Sequence, residues 1–327
     1  MAAAAAQRPA NAAPRPALSG GYARIKVPAA PGAPAHQPYA PYNVFVVAGD
    51  ISHIETRAPV CTEQLDPSLW AASKSCCRSA YFLGGAKSGS TTLSLLLKHS
   101  PKDNYATHDP DGPFVDAGKE PCWAKKVPKG PDSYYSHFPR CLTHCNKNAT
   151  PPLTALDACP LYTDEFEANR IACIHPDTRF VMLVRDPVKR ITSRYNAQRS
   201  RRHLKTPIDV YMRQTAKNEN NQEHLLSAFD RTLEAFLTFF QPHQILVVHS
   251  EALRSDAAQL QIVLNIVCDH LGVARRVAAP MQSNSNSRHA DTYVRPDAAL
   301  AKEMEAIFAP HDERFFSMLG SRIEWPR

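Results

Sequence analysis

The sequence predicts an α/β protein with a single domain, in which a doubly wound parallel sheet is flanked by helices on both faces. Three short apolar runs carry the prediction: Ala80 to Gly85, Arg179 to Val184 and Gln244 to His249. Continuous apolar runs of this length, rich in Val, Ile, Leu and Phe, are typical of strands buried on both faces of a parallel sheet. Helical patterns alternate with them, which implies right-handed crossovers between parallel strands.

Helical apolar spacing predicts the elements between these strands. A helix over Asp164 to Ala172 leads into the second run, and a helix over His224 to Phe240 leads into the third. A further helix over Ala257 to Leu271 is ended by Gly272. Residues 101–160 are rich in Pro, Gly, Asp and aromatic side chains, and they predict a long loop region with short helices on the substrate side.

Composition changes sharply along the 327 residues. Residues 1–42 are rich in Ala and Pro and predict a disordered tail or a targeting segment, residues 43–77 an N-terminal extension, and residues 78–327 the main domain. The formal net charge of +7 suits an anionic ligand, although a solvated basic surface would also account for it. We expect no nucleic-acid partner, and oligomeric state is not predicted.

Location is left open by the sequence. No run reaches the roughly eighteen apolar residues that a membrane-spanning helix needs, and no apolar signal-peptide core follows the start. Nine cysteines and the sequon at Asn148 favour the secretory pathway or Golgi lumen. An organellar transit peptide and a cytoplasmic location are the alternatives.

The odd number of cysteines leaves at least one free thiol, and disulfide connectivity stays open at this stage. A zinc site at Cys141, His144 and Cys145 is an alternative use for part of the cluster. It lacks a second ligand pair at the usual spacing. We therefore expect no metal.

A glycine-rich loop follows the first predicted strand. Lys87 to Ser94 reads K-S-G-S-T-T-L-S and opens a helix predicted over Leu93 to His99. This arrangement offers backbone N–H groups, a helix N-terminus and a lysine to a phosphate group. Gly84 and Gly89 have the Walker spacing, but Ser90 stands where that motif requires lysine. The loop therefore predicts a P-loop-like phosphate site, and it argues against a nucleoside triphosphatase.

A second polar segment follows the second strand. Arg185 lies at the carboxyl end of this strand, and Asp186-Pro187 has the cap and first-turn residues of a helix. Ser193 falls about two turns into this helix. Ligands of doubly wound sheets collect outside the carboxyl ends of the strands. Arg185 and Ser193 are therefore candidates for a second phosphate contact.

The two segments, F-L-G-G-A-K-S-G-S-T-T-L and L-V-R-D-P-V-K-R-I-T-S-R-Y, in this order resemble the sulfotransferases that use 3′-phosphoadenosine 5′-phosphosulfate (PAPS). The resemblance covers roughly residues 78–327. It is closer to the Golgi-type carbohydrate branch, such as the heparan sulfate sulfotransferases. Lys119-Glu120 and the ending F-A-P-H-D-E-R-F-F-S-M-L-G…E-W are similar to that branch.

The resemblance implies a role for each matching residue. Lys87 would clamp the 5′-phosphosulfate as a catalytic residue, and Arg185 and Ser193 would hold the 3′-phosphate. The rest of the first motif, Ser88, Gly89, Ser90, Thr91 and Thr92, would complete the 5′ site. Arg288, within Ser287-Arg288-His289, is the best match for a C-terminal basic clamp; a flexible polar loop is the alternative.

The resemblance also assigns a base. Glu120 matches the family's K-E-x-x-[FW] segment, and a nearby polyanion would raise its proton affinity while Lys119 opposes this. An exposed loop glutamate is the competing interpretation. His99, His108 and His137 are alternative bases.

One departure bears on the acceptor. The family's glycan enzymes carry a lysine in an acidic-Lys-Thr-Pro-x-Tyr segment, whereas this chain has Asp157-Ala158-Cys159-Pro160-Leu161-Tyr162. Three hypotheses follow. The chain is a sulfotransferase acting on a hydroxyl or amino group of a glycan or small molecule, a cofactor-binding pseudoenzyme or adaptor, or a P-loop nucleotide kinase.

Overall fold

A six-stranded sheet runs through the part of the chain that the computed structural model describes, residues 32–62, 65, 77–98, 114–116, 122–125, 138, 153–202, 204–278 and 293–325. Its strands are β1 (Val44–Val46), β2 (Cys77–Gly84), β3 (Phe114–Asp116), β4 (Leu153–Asp157), β5 (Arg179–Val184) and β6 (Ile245–His249). The order is β1-β6-β5-β2-β4-β3. All neighbouring pairs are parallel except β1 with β6.

Helices connect and cover these strands. They are α1 (Ser90–Lys98), α2 (Glu165–Ile174), α3 (Pro187–Arg202), α4 (Ile208–Lys217), α5 (Gln222–Leu225), α6 (Phe229–Leu237), α7 (Ala257–Leu271) and α8 (Ala298–Leu319). Short 3-10 turns lie at Ala40–Tyr42, Trp123–Lys125, Pro242–Gln244 and Ser250–Arg254. In this described set, no helix has both the length and the apolar character needed to cross a bilayer.

The sheet is buried on both faces, which confirms the doubly wound class. On one face α1 and α7 pack against the sheet, with Leu93 and Val263 fully buried. On the other face α2, α6 and α8 form a more aromatic layer. In that layer the ring of Phe180 lies 5.2 Å from that of Phe236 and 4.6 Å from that of Phe240. A third cluster joins α3, α4 and α8.

The winding of the sheet reverses between β2 and β5, and this reversal indicates where a ligand site is expected. From β2 the chain continues toward β4 and β3, whereas from β5 it continues toward β6 on the other side. Gly84, the last residue of β2, pairs with Leu183 near the end of β5. The loops that follow β2 and β5 therefore lie side by side. Such a switch point is where open α/β sheets bind ligands.

Several predicted elements have the expected bounds. β5 and α7 match the prediction residue for residue. Gly272 ends α7 in the left-handed conformation, at φ 68°. Asp164 caps α2 in a capping box with Glu167, so this helix begins one residue later than predicted.

Other predictions were wrong. Residues 101–160 were expected to be loop with short helices, but β3 and β4 lie within them. The single helix expected over His224 to Phe240 is two helices, because the chain turns between α5 and α6. The first helix begins at Ser90 rather than Leu93, and β2 ends at Gly84. β1, α4 and α8 were not predicted.

Two disulfides join distant segments among the described residues. Cys61 is bonded to Cys173, and Cys122 to Cys159. Cys268 is a buried free thiol, in agreement with the expectation of at least one. The zinc candidates at 141–145 and the sequon at 148–150 lie outside the described residues.

Phe180→Ala should lower the free energy of unfolding by about 3–5 kcal/mol, because it leaves a cavity among the aromatic rings of the α2, α6 and α8 face. Urea denaturation measures this loss. Phe166→Ala is the control, since Phe166 is 61% exposed and stacks only on Arg170, so it should cost about 1 kcal/mol or less. Equal losses in the two variants would contradict the assignment of Phe180 to the core.

Candidate functional site

Residues 85–89, here called the glycine loop, join β2 to α1 in a backbone path that few residues can follow. Gly84, Lys87 and Gly89 have φ values of 93°, 79° and 101°. A Cβ on Gly84 would lie 2.2 Å from the carbonyl oxygen of Leu183, so glycine is required there. Lys87 holds a left-handed conformation as a non-glycine residue. Local backbone strain of this kind concentrates at binding sites.

The glycine loop is pressed against the elements behind it. A Cβ on Gly85 would lie 2.4 Å from the carbonyl oxygen of Leu226 and 2.6 Å from Cδ of Arg190. On the other side a Cβ on Gly89 would meet Leu253 at 2.9 Å. The loop is thus fixed between the turn that separates α5 from α6, helix α3 and the 3-10 turn after β6.

Hydroxyl groups line the passage from the glycine loop into α1. Ser88 is fully buried, and its Oγ has no hydrogen-bond partner among the described residues. Ser90, the first residue of α1, is also buried, while Thr91 is exposed and Thr92 half-buried. The first turn of α1 has no acidic residue. A buried hydroxyl without a partner beside a helix N-terminus is suited to contact an anion.

Arg185 joins the glycine loop to β5. Its Nη1 donates a hydrogen bond to the carbonyl oxygen of Lys87 at 3.0 Å, while its buried Nε has no partner in the described part of the chain. Burial lowers the pKa of Arg185, and the positive charge of Arg254 lowers it further. An anion at this position would relieve both effects, because it favours the charged guanidinium.

Helix α3 begins as predicted. Pro187 is its first residue, and Oδ1 of Asp186 accepts the backbone N–H of Lys189 at 2.7 Å. Ser193 lies on α3 and is 6% exposed. Lys87, Ser88, Arg185 and Ser193 are hereafter called the switch-point site.

The next turn of α3 holds the chain that returns after residue 292. The side chain of Asn196 donates to the carbonyl oxygen of Val294 at 2.8 Å and accepts its N–H at 2.9 Å. These two hydrogen bonds hold Val294 against α3. Arg288 belongs to the 279–292 segment and lies outside the described residues.

The end of β6 adds polar atoms that sequence reasoning missed. Val184 of β5 pairs with His249, so residues 249 and 250 reach the same edge of the sheet as Arg185. Both ring nitrogens of His249 and Oγ of Ser250 are buried without a partner in the described set. Burial lowers the pKa of His249 to about 4, so the ring is neutral at physiological pH. Its ring centroid lies 5.3 Å from that of Trp325.

On the other side of β2, the D-A-C-P-L-Y segment belongs to the core. Asp157 at the end of β4 is fully buried and accepts from the hydroxyl of Tyr162 at 2.6 Å and from the backbone N–H of Cys159 at 3.2 Å. Burial raises the pKa of Asp157 to about 6. Asp157 is thus a structural carboxyl group of the core.

The segment that follows Glu120 is anchored to the same place. Cys122 is bonded to Cys159, and the backbone N–H of Trp123 donates to Asp157 at 3.4 Å. The backbone N–H of Ala124 donates to the hydroxyl of Tyr162. The carbonyl oxygen of Ala124 accepts from Arg170 at 2.8 Å. Lys125 forms an ion pair with Glu167. Glu120 itself lies outside the described residues, as do the alternative bases His99, His108 and His137.

The structure therefore brings Arg185 against the glycine loop at Lys87 and places Ser193 on the helix that follows, while Glu120 and Arg288 lie outside its described part. The switch-point site combines a lysine, an arginine, a buried hydroxyl and a helix N-terminus, which are groups that bind phosphate. Ser88 Oγ and Arg185 Nε, which have no partner in the described part of the chain, fit an anionic group such as phosphate. Among the described residues no cluster of His, Cys, Asp and Glu is arranged to hold a metal ion.

Comparison with known proteins gives a family match over part of the chain and similar solved structures. Residues 132–276 match the Sulfotransferase family, and no curated protein matches the chain. A sulfotransferase from Alicyclobacillus acidocaldarius has the same fold, with a TM-score of 0.56 and 17% identity over 75% of this chain and 97% of that one. The sulfotransferase domain of the Synechococcus PCC 7002 olefin synthase is 15% identical over 83% of this chain and 100% of that one, with a TM-score of 0.39.

The pKa of Asp157 predicts a pH dependence of stability. The raised value means that the folded state keeps a proton that the unfolded state loses above 3.8, so stability falls as pH rises from about 4 to about 6. The fall is of the order of 3 kcal/mol at about 1.4 kcal/mol per pKa unit. Asp157→Asn should lack this fall, because the amide does not titrate.

Urea denaturation of both chains across this pH range measures the difference. Other titrating groups are common to the two chains, so the change in their difference isolates Asp157. A difference that stays constant with pH would contradict the buried, proton-retaining carboxyl.

Proposed function

We propose that this chain, which has the sulfotransferase fold and matches the Sulfotransferase family over residues 132–276, transfers the sulfuryl group of PAPS to a hydroxyl or amino group of an acceptor. The observation that carries the proposal is the hydrogen bond from Arg185 to the carbonyl oxygen of Lys87. It joins the two candidate phosphate contacts at the switch point of the sheet, which supports binding of a donor that carries phosphate on both the 5′ and the 3′ position of its ribose.

The donor supplies an activated sulfuryl group. Its sulfur–oxygen bond to the 5′-phosphate breaks as a new bond forms to the acceptor oxygen or nitrogen, and the acceptor gives up a proton. Lys87, Ser88 and the N-terminus of α1 stabilise the charge that develops on the leaving phosphate, as in phosphoryl transfer. Arg185 and Ser193 orient the 3′-phosphate. These roles need no metal.

Glu120 is proposed as the base that accepts the proton. It precedes by two residues the Cys122 anchor, which ties this segment to the end of β4 beside β2. A carboxylate near the phosphates of the donor would have its pKa raised toward the range useful for proton transfer. Arg288 is proposed as a further contact of the 3′-phosphate, since Asn196 brings the chain back to α3 just after it.

The acceptor is proposed to be a carbohydrate or a small metabolite. The segment that supplies a lysine in glycan enzymes has Ala158 at that position, and Asp157 is engaged in the core. A small acceptor therefore fits better than an extended sulfated glycan. The same observation supports a second candidate, a protein that binds the donor without turnover. A panel of labelled acceptors distinguishes the two.

Lys87→Ala and Arg185→Ala should each reduce transfer of labelled sulfate from PAPS by at least about a hundredfold, because each removes charge stabilisation at a phosphate. Arg213→Ala is the control, since Arg213 is exposed and paired with Glu303. Near-normal transfer in both site variants would refute the proposed function. Phosphoryl transfer from ATP instead of sulfuryl transfer would point to a kinase.

Removal of the Cys122–Cys159 disulfide, by replacing both residues with Ser, should lower kcat while leaving the affinity for adenosine 3′,5′-bisphosphate within about twofold. The reason is that the bond anchors the segment carrying Glu120, whereas the switch-point site lies on other elements. The matched control replaces Cys61 and Cys173, whose bond joins residues outside that segment. A loss of nucleotide affinity equal to the loss of kcat would show that the bond does not act on the acceptor side.

A further inference from the structure

Arg190 on α3 is fully buried directly behind the glycine loop. Its Nη1 donates to the carbonyl oxygen of Ala86 at 3.1 Å and to a carboxylate oxygen of Glu223 at 3.1 Å. Its Nε donates to Oγ of Ser227 at 2.8 Å, and its Nη2 to the carbonyl oxygen of Glu223 at 2.6 Å. One guanidinium thus connects α3, the glycine loop and the turn that follows α5.

A buried positive charge without a partner would destabilise the folded protein. Burial lowers the pKa of Arg190, and the carboxylate of Glu223 beside it opposes that effect. Replacing such a buried pair by apolar side chains is often neutral or stabilising, so stability alone does not account for it. A fully bonded polar network does, however, specify one arrangement of the segments that it joins.

The hydrogen-bond network of Arg190 specifies the conformation of the glycine loop. Arg190 binds the carbonyl oxygen of Ala86, and Arg185 binds that of the next residue, Lys87. Both carbonyl groups therefore point toward the β5–α3 side. In a trans peptide the N–H lies opposite the carbonyl group, so the N–H of Lys87 points away from Arg190. A change in the path of the loop that turned these carbonyl groups away would break both hydrogen bonds.

We propose that Arg190 is a positioning residue that holds the glycine loop in the conformation required by the 5′ end of the donor. Because Arg185 precedes the same helix and Ser193 lies on it, Arg190 also fixes the spacing between the sites for the two phosphates. This inference rests on the proposed function. It predicts that loss of Arg190 affects recognition of the 5′-phosphate far more than recognition of the 3′-phosphate.

Calorimetric titration with three nucleotides tests it: adenosine 3′,5′-bisphosphate, adenosine 5′-monophosphate and adenosine 3′-monophosphate. In Arg190→Met the affinities for the bisphosphate and the 5′-monophosphate should fall at least about tenfold, and that for the 3′-monophosphate less than about twofold. Arg190→Lys keeps the charge but cannot bridge the same acceptors in fork geometry. Its affinities for the bisphosphate and the 5′-monophosphate should therefore lie between those of the wild-type chain and those of Arg190→Met.

Arg194→Met is the matched control. Arg194 lies on the same helix and binds the other carboxylate oxygen of Glu223 at 2.7 Å, and it is not among the residues placed at the switch-point site. All three affinities should stay within about twofold of the wild-type values. If Arg190→Met does not fold, Ser227→Ala removes a single bond to Arg190 and should give the same preference for 5′-phosphate loss at smaller size.

The titration results distinguish failure of the role of Arg190 from failure of the proposed function. Equal losses for all three nucleotides, or no loss, would overturn the role of Arg190 while leaving the proposed function intact. Failure of the wild-type chain to bind the bisphosphate would overturn the proposed function itself.

Discussion

The structure depends on the contact between the glycine loop and the start of α3. Two successive carbonyl groups, those of Ala86 and Lys87, accept hydrogen bonds from Arg190 and Arg185. This contact exists because β2 and β5 are neighbours at the point where the winding of the sheet reverses. The strand order therefore determines which loops meet, and the two arginines determine how they meet.

The electrostatic character of the switch-point site follows from this contact. Arg185 is largely desolvated, its Nε lacks a partner among the described residues, and the nearby charge of Arg254 is of the same sign. Asp186, the nearest acid in sequence, is engaged in capping α3. Ser88 Oγ and Arg185 Nε are buried without a partner among the described residues, which lowers the stability of the free protein, and a bound polyanion would compensate for this. The strained backbone of Lys87 belongs to the same site.

A second, separate set of interactions organises the opposite side of β2. The Cys122–Cys159 bond, the buried carboxyl of Asp157 and the hydroxyl of Tyr162 hold the segment that follows Glu120. Asp157 ends β4, whereas Arg185 and Arg190 follow β5 on the other side of β2. The proposed donor side and the proposed acceptor side therefore rest on different strands and loops.

The sequence predicted the parts whose signals are local. The apolar run of β5, the capping of α3 by Asp186 and the ending of α7 at Gly272 each depend on a few adjacent residues, and all were confirmed. β3 was missed because it has three residues and takes its stability from β4. Arg190 was missed because it lies opposite the apolar stripe of α3, where helical periodicity predicts exposure; the glycine loop buries it instead.

A crystal structure with adenosine 3′,5′-bisphosphate would test the proposed function most directly. It should show the 5′-phosphate against Lys87 and Ser88 and the 3′-phosphate against Arg185 and Ser193, whereas a nucleotide bound away from the glycine loop would contradict it.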